Sequence, residues 1–285
     1  MNVSESNARY LKILSAYLNL YENIVTESAV RSVMEAGVDE NTAFSMVLAE
    51  SLGVDVIDER EFFEKYFKPS IKKLDVSDYY AEDYYKYIKF DKRAAGDFAL
   101  DYMTCKAYQG FVRDDFMYLF DGRVIPQIGF FDKEYRYPAA LQGGREWMTL
   151  LPNEINSQKK YVDDAFGKVL TYGLGLGYYV LKTALKSNVK SVAVVDIDQN
   201  VIHLFKENIL PQFPDFARAK VKLICADAIK FGESLKGGDF DYIYADIWHD
   251  AGDGVELYKT LKQNEKFCPS AKYGYWIEET MKYYM

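Results

Sequence analysis

Histidine and cysteine are both scarce in this chain. There are two histidines, His203 and His249, and three cysteines, Cys105, Cys225 and Cys268. The first number excludes a histidine-rich metal centre, and the scattered cysteines lack the spacing of a thiolate site or a disulfide framework, so no metal is expected. Also missing are an apolar run near the ~18 residues of a membrane span, a basic leader followed by an apolar stretch, and a lipidation signature. The expectation is a soluble, cytoplasmic protein with no membrane partner. Cations are outnumbered as well. Thirty-five Lys and Arg against 43 Asp and Glu leave a net charge of −8 and a pI near 5.0. Non-specific nucleic-acid affinity rests on clustered Lys and Arg, so nucleic acid is not an expected partner. The expected partners are a small-molecule substrate and, at most, a second copy of the chain in a homodimer.

What is abundant is apolar and aromatic. Hydrophobic residues make up 49% of the 285, enough for one large or two modest cores, and 25 are tyrosines. The stretch that organises the rest is KVLTYGLGLGY, Lys168 to Tyr178. Val169 to Tyr172 reads as a buried parallel strand that turns abruptly, at Gly173, Gly175 and Gly177, into the helix-like YYVLKTALK. Glycines there reach backbone angles closed to other residues and let a ligand touch main chain beside a helix N-terminus. The spacing is Gly-x-Gly-x-Gly. The dinucleotide fingerprint needs its third glycine one place later, where this chain has Tyr178, which argues against NAD.

Three further apolar runs each finish in an aspartate: Val192–Val195 before Asp196, Val221–Cys225 before Ala226-Asp227-Ala228, and Phe240–Ala245 before Asp246. Asp196 lies 19 residues after Gly177 (196 − 177), the place from which an acid accepts from ribose hydroxyls. Carboxylates gathered at one sheet edge repel unless they bind something, so the pattern points to a ligand crevice.

In chain order, the pattern predicts an N-terminal helical domain over 1–96, a β-hairpin module over 97–158 and a Rossmann-like domain over 159–285. In the first, Tyr10, Leu11, Leu14, Tyr17, Leu18 and Tyr21 recur at three and four. Thr26 and Asp39 read as N-caps, Gly37 and Gly53 as helix stops, Glu59–Phe67 as a helix ending before Pro69, and the tyrosine-rich run after it as a helix capped by Asp78. In the second, hairpins turn at Asp121-Gly122 and at Gly143-Gly144. In the third, strands and helices alternate, with helices from Asp198, Ala226 and about Gly254 and a fifth strand at Tyr273–Ile277. The fold class is therefore α/β: a doubly wound, Rossmann-like parallel sheet of about five strands, preceded by an α-helical region and a small β-hairpin module.

The motifs VLTYGLGLGYY, VAVVDIDQNVIHLF, VKLICADAIKF and FDYIYADIWHD, with the lead-in LQGGREWMTLLPNEI, resemble class I S-adenosylmethionine-dependent methyltransferases, in their spermidine-synthase-like branch, over about Pro126 to Ile277. The resemblance implies S-adenosylmethionine as cofactor. It places Gly173, Gly175 and Gly177 beside the methionine part, Asp196 on the ribose, Ile197 against the adenine, and Asp227 with Ala228 at the adenine amino group. Asp246 matches the residue facing the reacting centre, where aminopropyltransferases place a base. The chain departs from these families at Thr171 and Leu176, which stand where acids are customary, and at His249, which replaces the second aspartate of a DxxD pattern. Glu154 is then the candidate to help at the methionine end, His249 a second candidate base, and Trp248 a candidate substrate-stacking ring.

The first expectation is a small-molecule methyltransferase with Asp246 near the reacting centre. The alternatives are an aminopropyltransferase-like enzyme acting on an amine, and a noncatalytic cofactor-binding or interaction protein.

Overall fold

Ser4 starts the first helix by accepting a hydrogen bond from the Asn7 amide, and the helix Glu5–Leu18 buries Tyr10, Leu14 and Tyr17 on one face. This computed structural model describes residues 4–20 and 22–285. Tyr21, counted above on the same stripe, lies outside them. Thr26 and Asp39 cap helices Glu27–Met34 and Glu40–Ser51, and Gly37 and Gly53 follow these helices with φ of 88° and 77°. The helix expected to stop before Pro69 instead runs through it to Ser70. A π-turn, Phe63–Phe67, widens the helix just ahead, and Pro69 sits in the first turn of Lys68–Ser70, where its missing N–H is not needed. Asp78 is not a cap. It lies inside the short helix Val76–Tyr80, and Asp75 accepts from the Ser77 amide at 2.9 Å.

Two compact units result: one runs up to Tyr79 and includes Thr104–Arg136, and the other comprises Tyr80–Met103 and Tyr137–Met285. These divisions do not coincide with those expected at 96 and 158, because pairing joins distant stretches. In the first unit β1 (Ile71–Leu74) lies parallel to β5 (Val124–Phe131), which pairs antiparallel with β4 (Phe111–Tyr118). The hairpin at Asp121-Gly122 is thus drawn into the helical unit, where Phe44 stacks on Phe130 at 3.9 Å. The expected single β module is therefore two sheets. The other has the order β2 (Arg93–Ala95), β3 (Phe98–Cys105), β6 (Tyr135–Gln142), β7 (Arg145–Thr149), with its β6–β7 turn at Gly143-Gly144, both at positive φ.

The second unit carries the parallel sheet. Its five strands are β8 (Gly167–Tyr172), β9 (Val189–Asp196), β10 (Val221–Cys225), β11 (Tyr242–Ala245) and β12 (Lys272–Tyr275), in the order β10-β9-β8-β11-β12. All four pairings are parallel. The order reverses between β8 and β11, which opens a crevice at the strand C-termini. Chemistry from the ends of β8, β9 and β11 converges there. No described helix is long and apolar enough to cross a membrane.

Candidate active site

β8 ends at Tyr172, and the three glycines that follow have φ of 91°, 53° and 78°. Two of them have no room for a side chain: a Cβ on Gly173 would strike the Asp246 carbonyl oxygen, and one on Gly177 the Phe205 ring. At Gly175 the nearest obstacle is the flexible Met148 Sδ at 3.4 Å, so this glycine presents bare main chain rather than packing against a wall. Gly177 is the residue before the helix Tyr178–Leu185. The loop is held from outside by Tyr84, whose hydroxyl donates to the Leu176 carbonyl at 2.8 Å, while Lys182 pairs with Glu82 and Asp83 at 2.9 and 3.0 Å.

Asp196 ends β9 with one carboxylate oxygen accepting from the Leu174 amide at 3.0 Å and the other from Asp198 at 2.9 Å. Burial raises its pKa above the usual carboxylate range, against these amides. Each oxygen keeps a lone pair, which is what ribose hydroxyls require. Ile197, next in the chain, is 72% exposed. Asp227 accepts from the Lys230 amide at 3.0 Å and so caps the helix Ala228–Glu233, with Ala228 in its first turn.

Asp246 follows β11. Its amide donates to the Tyr172 carbonyl at 2.9 Å, continuing the strand ladder up to the glycine loop. The two-residue period of a strand puts Tyr242, Tyr244 and Asp246 on one face. The helix Pro152–Asp164 turns Glu154, Gln158 and Tyr161, spaced at four and three, toward that face, and Tyr161 meets Tyr244 at 5.0 Å between ring centres. Gln158 Nε2 donates both to Glu154 Oε2 at 3.0 Å and to Asp246 Oδ2 at 3.1 Å. Both acids are half-buried. Burial pushes both carboxyls up, and the charge of Asp246 raises Glu154 further. Glu154 itself lies in the first turn of this helix, which begins at Pro152.

His249 and Trp248 are placed differently from Asp246. The His249 ring stands edge-on to Trp147 at 4.0 Å, and its Nδ1 lies 3.2 Å from Asp253. Trp248 is buried beside Gly254 and edge-on to Tyr258 at 6.4 Å, and its indole N–H has no hydrogen-bond partner. The tryptophan with an exposed surface beside His249 is Trp147, 37% exposed. Gln158, Tyr84 and Trp147 were not singled out from sequence. Gln158 had a readable signal, its i, i+4 spacing from Glu154. Tyr84 had none, being one of several tyrosines in a run.

Residues 161–265 match the spermine/spermidine synthase domain. Similar solved structures include a spermidine synthase from Thermotoga maritima, with 14% identity over 49% of this chain and 52% of that one at a TM-score of 0.37. A spermidine synthase in complex with the transition-state analogue AdoDATO has 16% identity over 49% and 54%, TM-score 0.39. A putative O-methyltransferase from Klebsiella pneumoniae has 21% identity over 35% and 43%, TM-score 0.26. The chain thus spans about half the length of the two spermidine synthases. No curated protein matches it. The matched stretch includes four of the five parallel strands, the glycine loop and all three strand-end aspartates, so the similarity to the spermine/spermidine synthase domain falls on the part of the chain that forms the crevice.

Proposed function

We propose that this chain is an aminopropyltransferase-like enzyme that joins an amine to the alkyl chain of a decarboxylated S-adenosylmethionine. The observation that carries this reading is the cluster Glu154–Gln158–Asp246 at the end of β11: two half-buried carboxylates with no lysine, arginine or histidine paired to either among the described residues. Sequence alone put methyl transfer from S-adenosylmethionine first. The match to the spermine/spermidine synthase domain favours the amine-directed alternative, and the charge of the cluster agrees with it. A methionine carboxylate would meet two acids here, whereas a decarboxylated cofactor and an amine each bring positive charge.

The cradle suits such a cofactor. Gly175 offers bare main chain, Asp196 has lone pairs to spare, and Ile197 is an exposed apolar surface at the strand end. When bound, the sulfonium supplies an alkyl carbon already activated for displacement. The protein has to align the amine with that carbon and take one proton. Asp246 is assigned the proton: its carboxylate first takes one proton from the ammonium nitrogen, the lone pair this frees forms the C–N bond, and the C–S electrons leave with sulfur. Glu154 helps to hold the cationic amine, and Asp196 the ribose.

The test is product analysis with the full chain, decarboxylated S-adenosylmethionine and a panel of primary amines. Alkylated amine and methylthioadenosine are expected. Asp246→Asn should keep cofactor affinity and lower turnover by roughly 10²–10⁴-fold, the range for a lost general base. Methyl transfer from intact S-adenosylmethionine, with no reaction of the decarboxylated form, would return the assignment to a methyltransferase.

A further inference from the structure

The acid pair is held by a residue that the mechanism above does not use. Gln158 is 5% exposed. Its amide nitrogen has two N–H groups, and the geometry gives one to each carboxylate. Glu154 Oε2 and Asp246 Oδ2 are therefore no farther apart than these two hydrogen bonds laid end to end. The carbonyl end, Gln158 Oε1, is buried with no hydrogen-bond partner. A buried amide oxygen left unpartnered beside two carboxylates is an arrangement of acceptors in need of a donor.

Around the cluster the other titratable side chains are Tyr161 on the same helix, Tyr244 on β11, and Tyr179 on the glycine-loop helix, stacked on Tyr244 at 4.2 Å. Burial holds Tyr244 and Tyr179 well above the ordinary phenol range, so they bring no charge. Two carboxylates this close, with no cation to balance them, ionise one at a time.

Resting on the amine-transfer reading above, we propose that Gln158 is a positioning residue that holds Glu154 and Asp246 around one shared proton, and that the substrate's ammonium group enters by displacing that proton. The balance is simple. The empty pair carries one proton and one negative charge. The ammonium arrives with its charge, one proton leaves to solvent, and both carboxylates and Gln158 Oε1 then accept N–H donors from the bound nitrogen. A neutral hydroxyl of the same shape cannot drive the proton off, so the device selects a cation over an alcohol. Asp246, freed of the shared proton, is then in the state needed to take one from the ammonium nitrogen and so free the lone pair that forms the C–N bond.

Two measurements on the full chain test this. Infrared difference spectra of the ligand-free protein at pH 6.5 should show a protonated carboxyl band that vanishes in the Glu154→Gln, Asp246→Asn double variant. Calorimetry with n-butylamine, in the presence of methylthioadenosine, should give heats that differ between phosphate and Tris buffers by about one proton per amine bound. Gln158→Met keeps the volume and removes the bridge. It should release less than about half a proton and bind the amine on the order of 10-fold more weakly, the size of one lost hydrogen bond in this setting, with methylthioadenosine affinity unchanged. n-Butanol should not compete. A missing carboxyl band, or amine binding with a heat independent of buffer, overturns the shared proton and leaves the amine-transfer reading standing. A carboxyl band with no amine binding overturns that reading and the displacement with it.

Discussion

Gly173 and Gly175 are alike in sequence but not in what surrounds them. Both have positive φ, yet only at Gly173 does a Cβ collide with backbone, the carbonyl of Asp246. Gly173→Ala should therefore move the end of β11 away from the loop and destabilise by more than about 1 kcal/mol, measurable by urea denaturation, since a side chain is forced into both a clash and a left-handed conformation. Gly175→Ala carries the strain of a left-handed residue, about 1–2 kcal/mol, but meets only the movable Met148 sulfur. It should fold and lose cofactor affinity, because the methyl group stands where main chain is offered to a ligand. Equal loss of stability in both variants would show that the loop has no exposed side. The glycine triplet, Asp196 and Asp246 were legible because each is a local event, a strand run ended by one residue type. Gln158 was legible only in part: its spacing of four from Glu154 on one helix can be read, but its second partner, Asp246, follows a strand that sequence does not show to be adjacent.

At the scale of elements, the helix Ala251–Asn264 shows how local chemistry outweighs a poor-looking sequence. Gly252 and Gly254 suggest that the helix starts at about 254. It starts at Ala251, because Asp250 accepts from the Gly252 and Asp253 amides while Asp253 accepts from the Asp250 amide, a reciprocal capping box. Gly254 is inside the helix for a packing reason: a Cβ there would meet Trp248 and Met281. Asp250→Ala should cost about 0.5–2 kcal/mol, read as a lower urea midpoint with unchanged slope. A variant as stable as the parent would mean that Asp253 caps the helix alone. The alternating strands and helices of the parallel sheet were readable for the same reason as the caps, since period and turn residues lie within a few positions of each other. The division of the β segments into two sheets was not. It follows from β1 pairing in parallel with β5 across more than fifty residues, for which no local pattern gives a sign.

For the whole molecule, pH sorts the acids into two groups with opposite effects on stability. Asp39, Asp55, Glu59, Glu61, Asp75, Asp121 and Asp253 have lowered pKa values: burial opposes the shift at each, and is the largest single influence at Asp253, but hydrogen bonds to the charged forms together outweigh it. Their contribution is present above the ordinary carboxylate range and is lost as pH falls through it. Asp114, Glu146, Glu154, Asp196 and Asp246 are raised, each chiefly by burial. For these the unfolded chain ionises first, so the folded state binds the extra proton and stability falls as pH rises. The decline starts near the unfolded value and ends at the folded one, which for Asp246 is pushed up to about 7. The first group is exposed apart from the half-buried Glu59, and screened by solvent, so the second should set the slope between about pH 4.5 and 7. The ligand-free protein is expected to be most stable on the acid side of neutrality and to lose urea resistance steadily toward pH 7. Asp246→Asn removes one ionisation from that interval and relieves Glu154 of a neighbouring charge, so its curve should be flatter and cross above the parent's as pH rises. Addition of an ammonium ligand should flatten the parent's curve in the same way, by stabilising the ionised pair. If the parent and Asp246→Asn curves run parallel from pH 4.5 to 7.5, the carboxyl of Asp246 titrates in the folded protein as it does in the unfolded chain, and the half-buried acid pair is not where the protein stores its pH dependence.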